Sequence, residues 1–125
     1  MYAIIGGSGL AKLTALQSSR RQVMRTPYGE PSGALTFGEF GGAEVVFLAR
    51  HGYGHTLSPH EINYRANIWA LKELKVEGVI AVVINHAAGR GDSVQAIKLE
   101  ELGEVMHQSI VRAVRILTSF FEKAP

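Results

Sequence analysis

Residues 2–9 read Tyr2-Ala3-Ile4-Ile5-Gly6-Gly7-Ser8-Gly9, and this stretch sets the class of fold. A short apolar run that stops at a glycine cluster predicts a buried strand ending in a tight turn. Glycine permits that turn and has no Cβ to keep a ligand away from the backbone N–H groups. The motif lacks the third glycine of a dinucleotide fingerprint and the Gly-Lys-Ser/Thr end of a P-loop. It therefore predicts either an anion site, with the Ser8 hydroxyl as an added donor, or a strand-ending turn without a ligand.

The rest of the chain alternates strand and helix patterns. The turn-rich segment 26–33 precedes two β-rich runs, Ala34 to Phe40 and Ala43 to Ala49, which Gly41-Gly42 divides, so that they are expected to form a hairpin. Pro59 is expected to start a helix that ends before Gly78. The apolar residues of that helix recur at helical spacing and are Ile62, Ala66, Trp69, Ala70 and Leu74.

The C-terminal third continues this alternation. Val79 to Ile84 is rich in β-branched residues and predicts a strand buried on both faces, followed by a loop over Asn85 to Asp92. A long helix is predicted from about Lys98 to Lys123, with one apolar stripe consisting of Leu99, Leu102, Met106, Ile110, Ala113, Val114, Leu117 and Phe121. The chain is therefore expected to be one α/β domain, residues 1–125, with a mixed twisted sheet flanked by helices.

Composition excludes several classes of protein. The net charge is only +2 and the 13 Lys and Arg residues are spread along the chain, so a nucleic-acid-binding surface is not indicated. Because there is no cysteine, a disulfide framework and a thiolate metal site are impossible. The N-terminus has no basic region or long apolar run, and no long apolar stretch occurs elsewhere, so neither export nor a membrane span is expected, and a cytoplasmic location is the simplest expectation.

Arg50-His51 follows the strand Val45 to Ala49 directly. An arginine offers a fixed fork of donors that matches phosphate oxygens, and a histidine can donate beside it. The alternative is a strand-end arginine in a surface salt bridge. The presence of Arg50-His51-Gly52 after one strand and of Gly6-Gly7-Ser8-Gly9 after another favours a shared anion site.

Three other groups of polar residues are candidates for a metal site, a structural role or a ligand contact. His51, His55 and His60 are numerous enough for zinc, but Gly52, Gly54 and Pro59 disfavour regular helical spacing, so no metal is expected. The segment Asn63-Tyr64-Arg65-Ala66-Asn67 is interpreted as structural, holding a loop by hydrogen bonds. Asn85 follows a buried strand and is either a ligand-facing amide, suited to the edge of a 6-oxopurine, or a turn residue.

Four stretches together resemble the methylthioadenosine phosphorylase branch of the trimeric purine nucleoside phosphorylases. They are Tyr2-Ala3-Ile4-Ile5-Gly6-Gly7-Ser8-Gly9-Leu10, Thr26-Pro27-Tyr28-Gly29-Glu30-Pro31-Ser32, Leu48-Ala49-Arg50-His51-Gly52 and Asn63-Tyr64-Arg65-Ala66-Asn67-Ile68-Trp69-Ala70-Leu71-Lys72. Residues 1–82 resemble the N-terminal part of the family, and residues 83–125 resemble its C-terminal part. The resemblance implies reversible phosphorolysis of a purine nucleoside, with inorganic phosphate as co-substrate, no cofactor and no metal.

The resemblance also implies roles for individual residues. Ser8, Arg50 and His51 match phosphate-binding positions, and His55 lies near the ribose end. Asn85 and Ala87 match the positions that read the base, and having Asn and Ala there is similar to the methylthioinosine-preferring type. Leu99 and Leu102 match the pocket for the 5′-methylthio group, although both also suit a helical core face. Catalytic residues are not identified.

The sequence departs from the family in length. Family chains are about twice as long, and the middle of the pattern is absent at a join near Val82 and Val83. From the resemblance, the expected activity is phosphorolysis of 5′-methylthioinosine, which gives free base and methylthioribose 1-phosphate. The expected assembly is a homotrimer if the chain is intact. The alternative is a catalytically inactive truncated homologue that binds phosphate or nucleotide, or only associates with other subunits.

Overall fold

The computed structural model describes residues 1–7, 16–81 and 99–123, with side chains from residue 107 onward in the last segment. The elements in chain order are β1 (Tyr2–Gly6), β2 (Gln17–Gln22), β3 (Leu35–Phe40), β4 (Ala43–Ala49), α1 (Tyr64–Glu73), β5 (Gly78–Ala81) and α2 (Leu99–Lys123). The five strands form one mixed sheet with helices against it, which confirms the α/β class expected from the sequence.

The sheet places β1 between two parallel neighbours. Its strand order is β2-β3-β4-β1-β5, and β1 is parallel to both β4 and β5. Strands β2, β3 and β4 are antiparallel in succession. The carboxyl ends of β1 and β4 therefore meet at the same edge of the sheet, in the register Gly6↔Ala49.

Alternate residues of β1 and β4 face two separate hydrophobic clusters, because side chains in a strand alternate between the two faces. On one face Ile4 and Phe47 pack with Leu117 and Phe121 of α2. On the other face the sheet packs against α1 through Ala70 and Leu71. Helix α2 thus packs on one face of β1 and β4, and α1 packs on the other.

The hairpin between β3 and β4 is confirmed. Its two central residues, Gly41 and Gly42, have φ of 58° and 79°, and the last strand pair before the turn is Phe40↔Ala43. Positive φ at both central positions is the geometry of a type I′ turn, which glycine adopts at little steric cost.

The sequence pattern does not predict strand β2. All six of its residues, Gln17–Gln22, are exposed, so no apolar alternation marks them. The strand pairs with β3 across a register shift, and the guanidinium carbons of Arg20 and Arg21 lie 4.2 and 4.3 Å from the ring centroids of Phe37 and Tyr53. Cation–π contacts and the β3 ladder therefore replace apolar burial.

The predicted start of the first helix at Pro59 is wrong. Helix α1 begins at Tyr64 because Asn63 is the N-cap, and its side-chain oxygen accepts from the N–H of Ala66 at 3.0 Å. Upstream, the Ser58 N–H donates to the carboxylate of Glu61 at 2.9 Å, which closes an isolated turn rather than a first helical turn.

The predicted burial of the fifth strand on both faces is also wrong for the part that is described. Residues Gly78–Ala81 alternate between partly buried and exposed, and Val79 is 45% exposed. The reason is position: within the described sheet, β5 is an outermost strand. Val79 is in register with Ala3, on the face that α1 packs against, but it does not belong to the cluster that Ala3 forms with α1. The predicted continuation of this strand to Ile84 and the loop over Asn85 to Asp92 lie outside the described residues.

Helix α2 confirms the predicted C-terminal helix. Ala113, Leu117 and Phe121 are buried, and Ile110 and Val114 are partly buried against the same cluster. The apolar stripe read from the sequence therefore faces the sheet from residue 110 onward. In the part of the chain that the structure describes, neither helix combines the length and hydropathy needed to cross a bilayer.

Candidate functional site

The ends of β1 and β4 bring the glycine turn and the Arg50-His51 pair together. The N–H of Arg50 donates to the carbonyl of Gly6 at 2.8 Å, extending the parallel ladder by one bond beyond both strands. Gly7 and Arg50 therefore leave the sheet side by side. In open α/β sheets the carboxyl edge of parallel strands is where ligands bind.

The guanidinium of Arg50 lies directly over Gly7. A Cβ placed on Gly7 would be 2.9 Å from Nη2 of Arg50 and 3.5 Å from its Cζ. The distance to Nη2 is shorter than real Cβ contacts allow. The missing side chain at position 7 is thus what gives the guanidinium its place. A cation fixed at the end of a glycine-rich turn is suited to an anion that also needs backbone N–H donors.

One donor of Arg50 is buried without a partner. Among the residues that the structure describes, Nε of Arg50 is the one buried side-chain polar atom that makes no hydrogen bond. A buried donor of a charged group that lacks an acceptor costs about 1–3 kcal/mol or more, so native structures rarely keep one without a functional reason. The orphaned N–H fits a site in which an acceptor belongs to the ligand.

His51 is buried and held in one orientation. It is 7% exposed, and its Nδ1 lies 2.8 Å from the carbonyl oxygen of Leu57, while the N–H of Leu57 donates to the carbonyl of His51 at 3.1 Å. A carbonyl oxygen only accepts, so Nδ1 carries the hydrogen. In the neutral imidazole, Nε2 is then an acceptor, and His51 donates from Nε2 only as an imidazolium.

The loop after β4 is braced so that these side chains stay at the sheet edge. Gly52 has a φ of 77°, and a Cβ on it would lie 3.2 Å from the carbonyl oxygen of Ser32. The hydroxyl of Tyr53 donates to the carbonyl of Ala34 at 3.1 Å and also bonds the hydroxyl of Thr36. The loop is therefore packed between the end of segment 26–33 and β3.

Two asparagines, the N-cap Asn63 and Asn67 of α1, hold segment 26–33 in place by hydrogen bonds. Asn67 is 3% exposed; its amide oxygen accepts from the N–H of Ser32 at 2.8 Å, and its Nδ2 donates to the Ser32 hydroxyl at 2.9 Å. Asn63 donates through Nδ2 to the carbonyl of Tyr28 at 2.7 Å. The interpretation of Asn63 and Asn67 as structural residues is confirmed.

The structure describes three of the eight site residues expected from the sequence with their side chains. Arg50 and His51 are consecutive, and the ring of the exposed His55 lies 4.6 Å from that of His51, centroid to centroid. Ser8, Asn85 and Ala87 lie outside the described residues. Leu99 and Leu102 are on α2, and their side chains also lie outside the described part, so these five assignments stay predictions.

The three histidines considered for zinc do not converge in the structure. His51 uses Nδ1 for the Leu57 carbonyl, and the ring of His60 contacts the hydroxyl of Ser58 at 3.3 Å. Within segments 1–7, 16–81 and 99–123, no three His, Asp or Glu side chains are arranged to hold a metal ion.

Sequence reasoning missed the groups that fix the geometry of this edge. Leu57 contributes a backbone carbonyl, which no residue pattern marks. No motif marks Tyr53, whose hydroxyl donates to the Ala34 carbonyl and bonds the Thr36 hydroxyl. Asn63 and Asn67 did carry a signal, and only their partners, Tyr28 and Ser32, were not identified, since each lies 35 positions away in the chain.

Comparison with known proteins places this architecture in one family. A sequence model of the phosphorylase superfamily matches residues 1–84. A probable S-methyl-5′-thioinosine phosphorylase of Pseudomonas syringae is 55% identical over 82 residues, which are 66% of this chain and 33% of that protein. An S-methyl-5′-thioadenosine phosphorylase of Hyperthermus butylicus is 59% identical over 80 residues, 64% of this chain and 29% of that one.

Solved structures agree with the sequence matches. The crystal structure of a methylthioadenosine phosphorylase from an Antarctic soil metagenomic library aligns with a TM-score of 0.58 at 52% identity, covering 64% of this chain and 28% of that chain. The matched part of this chain thus spans about a third of the length of these curated relatives.

Proposed function

This chain belongs to the phosphorylase superfamily, and on that premise we propose that it carries the phosphate-binding part of a purine nucleoside phosphorylase. In the proposed reaction an oxygen of inorganic phosphate bonds to the anomeric carbon of the nucleoside. The N-glycosidic bond breaks, and the purine leaves with the bonding electron pair and takes up a proton. The products are a free base and a pentose 1-phosphate.

The observation that carries the proposal is the guanidinium of Arg50 lying on Gly7 where β1 and β4 end. The fork of Arg50 would neutralise the charge of phosphate, and its orphaned Nε would gain an acceptor. Ser8, the next residue after Gly7, would add its hydroxyl. Phosphate fixed in line for attack reacts far faster than phosphate from solution, because its translational and rotational freedom has been removed beforehand.

For the nucleoside we propose 5′-methylthioinosine as the preferred substrate. Asn85 and Ala87 would read a 6-oxopurine base, His55 would lie near the ribose, and Leu99 and Leu102 would contact the 5′-methylthio group. Similarity alone leaves the choice open, since the thioinosine and thioadenosine enzymes match this chain at 55% and 59% identity. The two base-reading residues are what support the 6-oxopurine.

The proposed enzyme is a homotrimer in which residues 83–125 correspond to the C-terminal part of the family. The catalytically inactive alternative has no support from the matched proteins named above, which are all phosphorylases. If the verified chain is 125 residues long, we expect weak phosphate binding and little turnover, because a shortened cleft would not hold both substrates.

Two measurements test this function. Intact-mass analysis first establishes the length of the expressed protein. Titration calorimetry with inorganic phosphate should then give a binding signal that Arg50→Ala abolishes and that Arg65→Ala leaves in place; Arg65 is a matched arginine, which lies over the Tyr28 ring instead of at the sheet edge. Equal binding by wild type and Arg50→Ala would refute the proposed site.

Activity assays address the substrate. Release of base from methylthioinosine, inosine and methylthioadenosine is compared at equal concentrations, with phosphate omitted as the control. Faster release from methylthioadenosine than from methylthioinosine would overturn the assignment to 6-oxopurines. Vigorous turnover by a mass-verified 125-residue chain would refute the expectation that the shortened cleft is impaired.

A further inference from the structure

Arg50 and His51 are the two central residues of a tight turn at the carboxyl end of β4. The N–H of Gly52 donates to the carbonyl of Ala49 at 3.0 Å and closes this turn. The Ala49 side is held by β4 and by the bond from the Arg50 N–H to the Gly6 carbonyl at 2.8 Å. Gly52 belongs to no strand of the described sheet. Other contacts therefore have to hold the Gly52 side of the turn.

Three consecutive residues supply these contacts. The carbonyl oxygen of Ser32 lies against Gly52, where a Cβ would be 3.2 Å from it. The ring of Tyr53 lies against Gly33, 3.6 Å from the position of a Cβ there, and the Tyr53 hydroxyl donates to the carbonyl of Ala34 at 3.1 Å. The position of Gly52 in the turn thus depends on the position of Ser32.

Ser32 is itself held by one buried side chain of α1. Asn67 is 3% exposed; its amide oxygen accepts from the Ser32 N–H at 2.8 Å, and its Nδ2 donates to the Ser32 hydroxyl at 2.9 Å. The two bonds fix both the backbone and the side chain of Ser32. Helix α1 packs on the sheet through Ala70 and Leu71, so the amide of Asn67 is anchored to the same sheet that ends at Arg50.

We propose that Asn67 is a positioning residue of the phosphate site, acting through Ser32 and Gly52 on the turn that carries Arg50. The inference rests on the proposed phosphate site and adds a determinant of its affinity on α1. The guanidinium has little room to move, because a Cβ on Gly7 would already be 2.9 Å from its Nη2. A displaced turn would therefore take the fork of donors out of line with the anion.

The test is titration calorimetry of the whole 125-residue chain with inorganic phosphate. Asn67→Ala should weaken phosphate affinity by about tenfold, since a displacement of about 1 Å in a positioned group can cost up to about a hundredfold. Asn63→Ala is the matched control. Asn63 caps α1 and donates to the Tyr28 carbonyl at 2.7 Å, at the other end of segment 26–33. Its loss should lower the urea midpoint of unfolding and leave the phosphate affinity of the folded protein near the wild-type value.

Ser32→Ala checks that the effect passes through Ser32. This change removes the hydroxyl that Asn67 binds and keeps the N–H, so the loss of phosphate affinity should be smaller than in Asn67→Ala. The double variant should bind phosphate as Asn67→Ala does, because that change has already removed the same hydrogen bond. Additive losses would show that Asn67 acts by another path and would overturn the proposal.

The outcomes separate this inference from the proposed function. No phosphate binding by the wild type would refute both. Binding that Arg50→Ala abolishes and that folded Asn67→Ala keeps in full would refute the positioning role alone. If Asn67→Ala does not fold, hydrogen exchange of the wild type decides. Because coupling is reciprocal, phosphate should slow exchange of the Ser32 N–H more than that of Gly29, which bonds the Thr26 carbonyl at 3.2 Å. Equal slowing of the two would refute the positioning role.

Discussion

Replacing Gly7 by alanine tests the arrangement at the sheet edge without removing any polar group. The new methyl would lie 2.9 Å from Nη2 of Arg50, whereas ordinary contacts of a Cβ begin at 3.4 Å. The guanidinium must therefore move by about 0.5 Å or more, a distance that spoils the alignment of a hydrogen-bonded fork. Gly7 is not among the glycines with positive φ, so alanine adds no backbone strain.

The expected effect is on binding and not on folding. Loss of one hydrogen bond to a charged group costs about 1.5–3 kcal/mol, which corresponds to a roughly ten- to hundredfold weaker phosphate affinity. The clash involves the far end of a flexible side chain, so the free energy of unfolding should change by less than about 1 kcal/mol. Calorimetric phosphate titration and urea unfolding measure the two quantities on the same preparation.

Gly33→Ala is the matched control. A Cβ on Gly33 would lie 3.6 Å from the ring of Tyr53, an ordinary contact, so both phosphate affinity and stability should stay near the wild-type values. If folded Gly7→Ala protein bound phosphate as tightly as wild type, the guanidinium would not need its place over Gly7, and the geometric argument for the site would be wrong.

Three further changes probe the framework. Leu117→Ala should lower the free energy of unfolding in urea by about 2–5 kcal/mol because the side chain is fully buried under the sheet. As the control, Ile116→Ala, at a position 66% exposed, should change it by no more than about 0.5 kcal/mol. Equal effects would contradict the packing of α2. Gly38→Ala would set a methyl 2.8 Å from a backbone oxygen of β2, which cannot rotate away, and should cost about 1–3 kcal/mol in the same assay, so a neutral result would exclude this register. The pKa of Glu61 is held below its ordinary value of 4.5 chiefly by the hydrogen bond from the Ser58 hydroxyl, so ionised Glu61 stabilises its turn above that value and this contribution is lost as the pH falls through the lowered pKa. An NMR titration should find the Glu61 pKa raised in Ser58→Ala, and no change would show that the hydroxyl is not the cause.

The sequence was sufficient for the elements whose signal is local. Burial is visible in the residue types of four elements: β1, the two strands around Gly41-Gly42, and α2. The sequence predicts their ends to within one residue. Strand β2 carries no such record. Its polar residues are extended because β3 offers a ladder and aromatic rings, and that partner lies more than a dozen residues further along the chain.

The start of α1 shows a different limit. Ser58, Pro59 and Glu61 form a pattern typical of a helix start, and the structure uses it for an isolated turn. The side chain of Asn63 then caps the helix while its amide also holds the Tyr28 carbonyl. The helix therefore starts after Asn63 and not at Pro59. The contact that holds Asn63 is with Tyr28, 35 positions away, and a local sequence pattern does not contain it.

The candidate site was predictable to the same extent. Two strand ends with complementary motifs pointed to a shared anion site, and the parallel pairing of β1 with β4 brings Gly7 and Arg50 together. The hydrogen on Nδ1 of His51 was not predictable, because it depends on a backbone carbonyl whose position follows from the path of the loop.

The order of assembly follows from the position of β1. Its two partners, β4 and β5, are synthesised some forty and seventy residues after it, and the side chains that cover Ile4 belong to Leu117 and Phe121. A growing polypeptide therefore emerges from the ribosome with an incomplete sheet whose apolar face stays open until α2 is made. Such long-range pairing slows folding and prolongs exposure to other nascent chains. If translation stops before α2, Val45 and Phe47 stay uncovered. Packing of α2 therefore ends the period in which this apolar face can contact other chains.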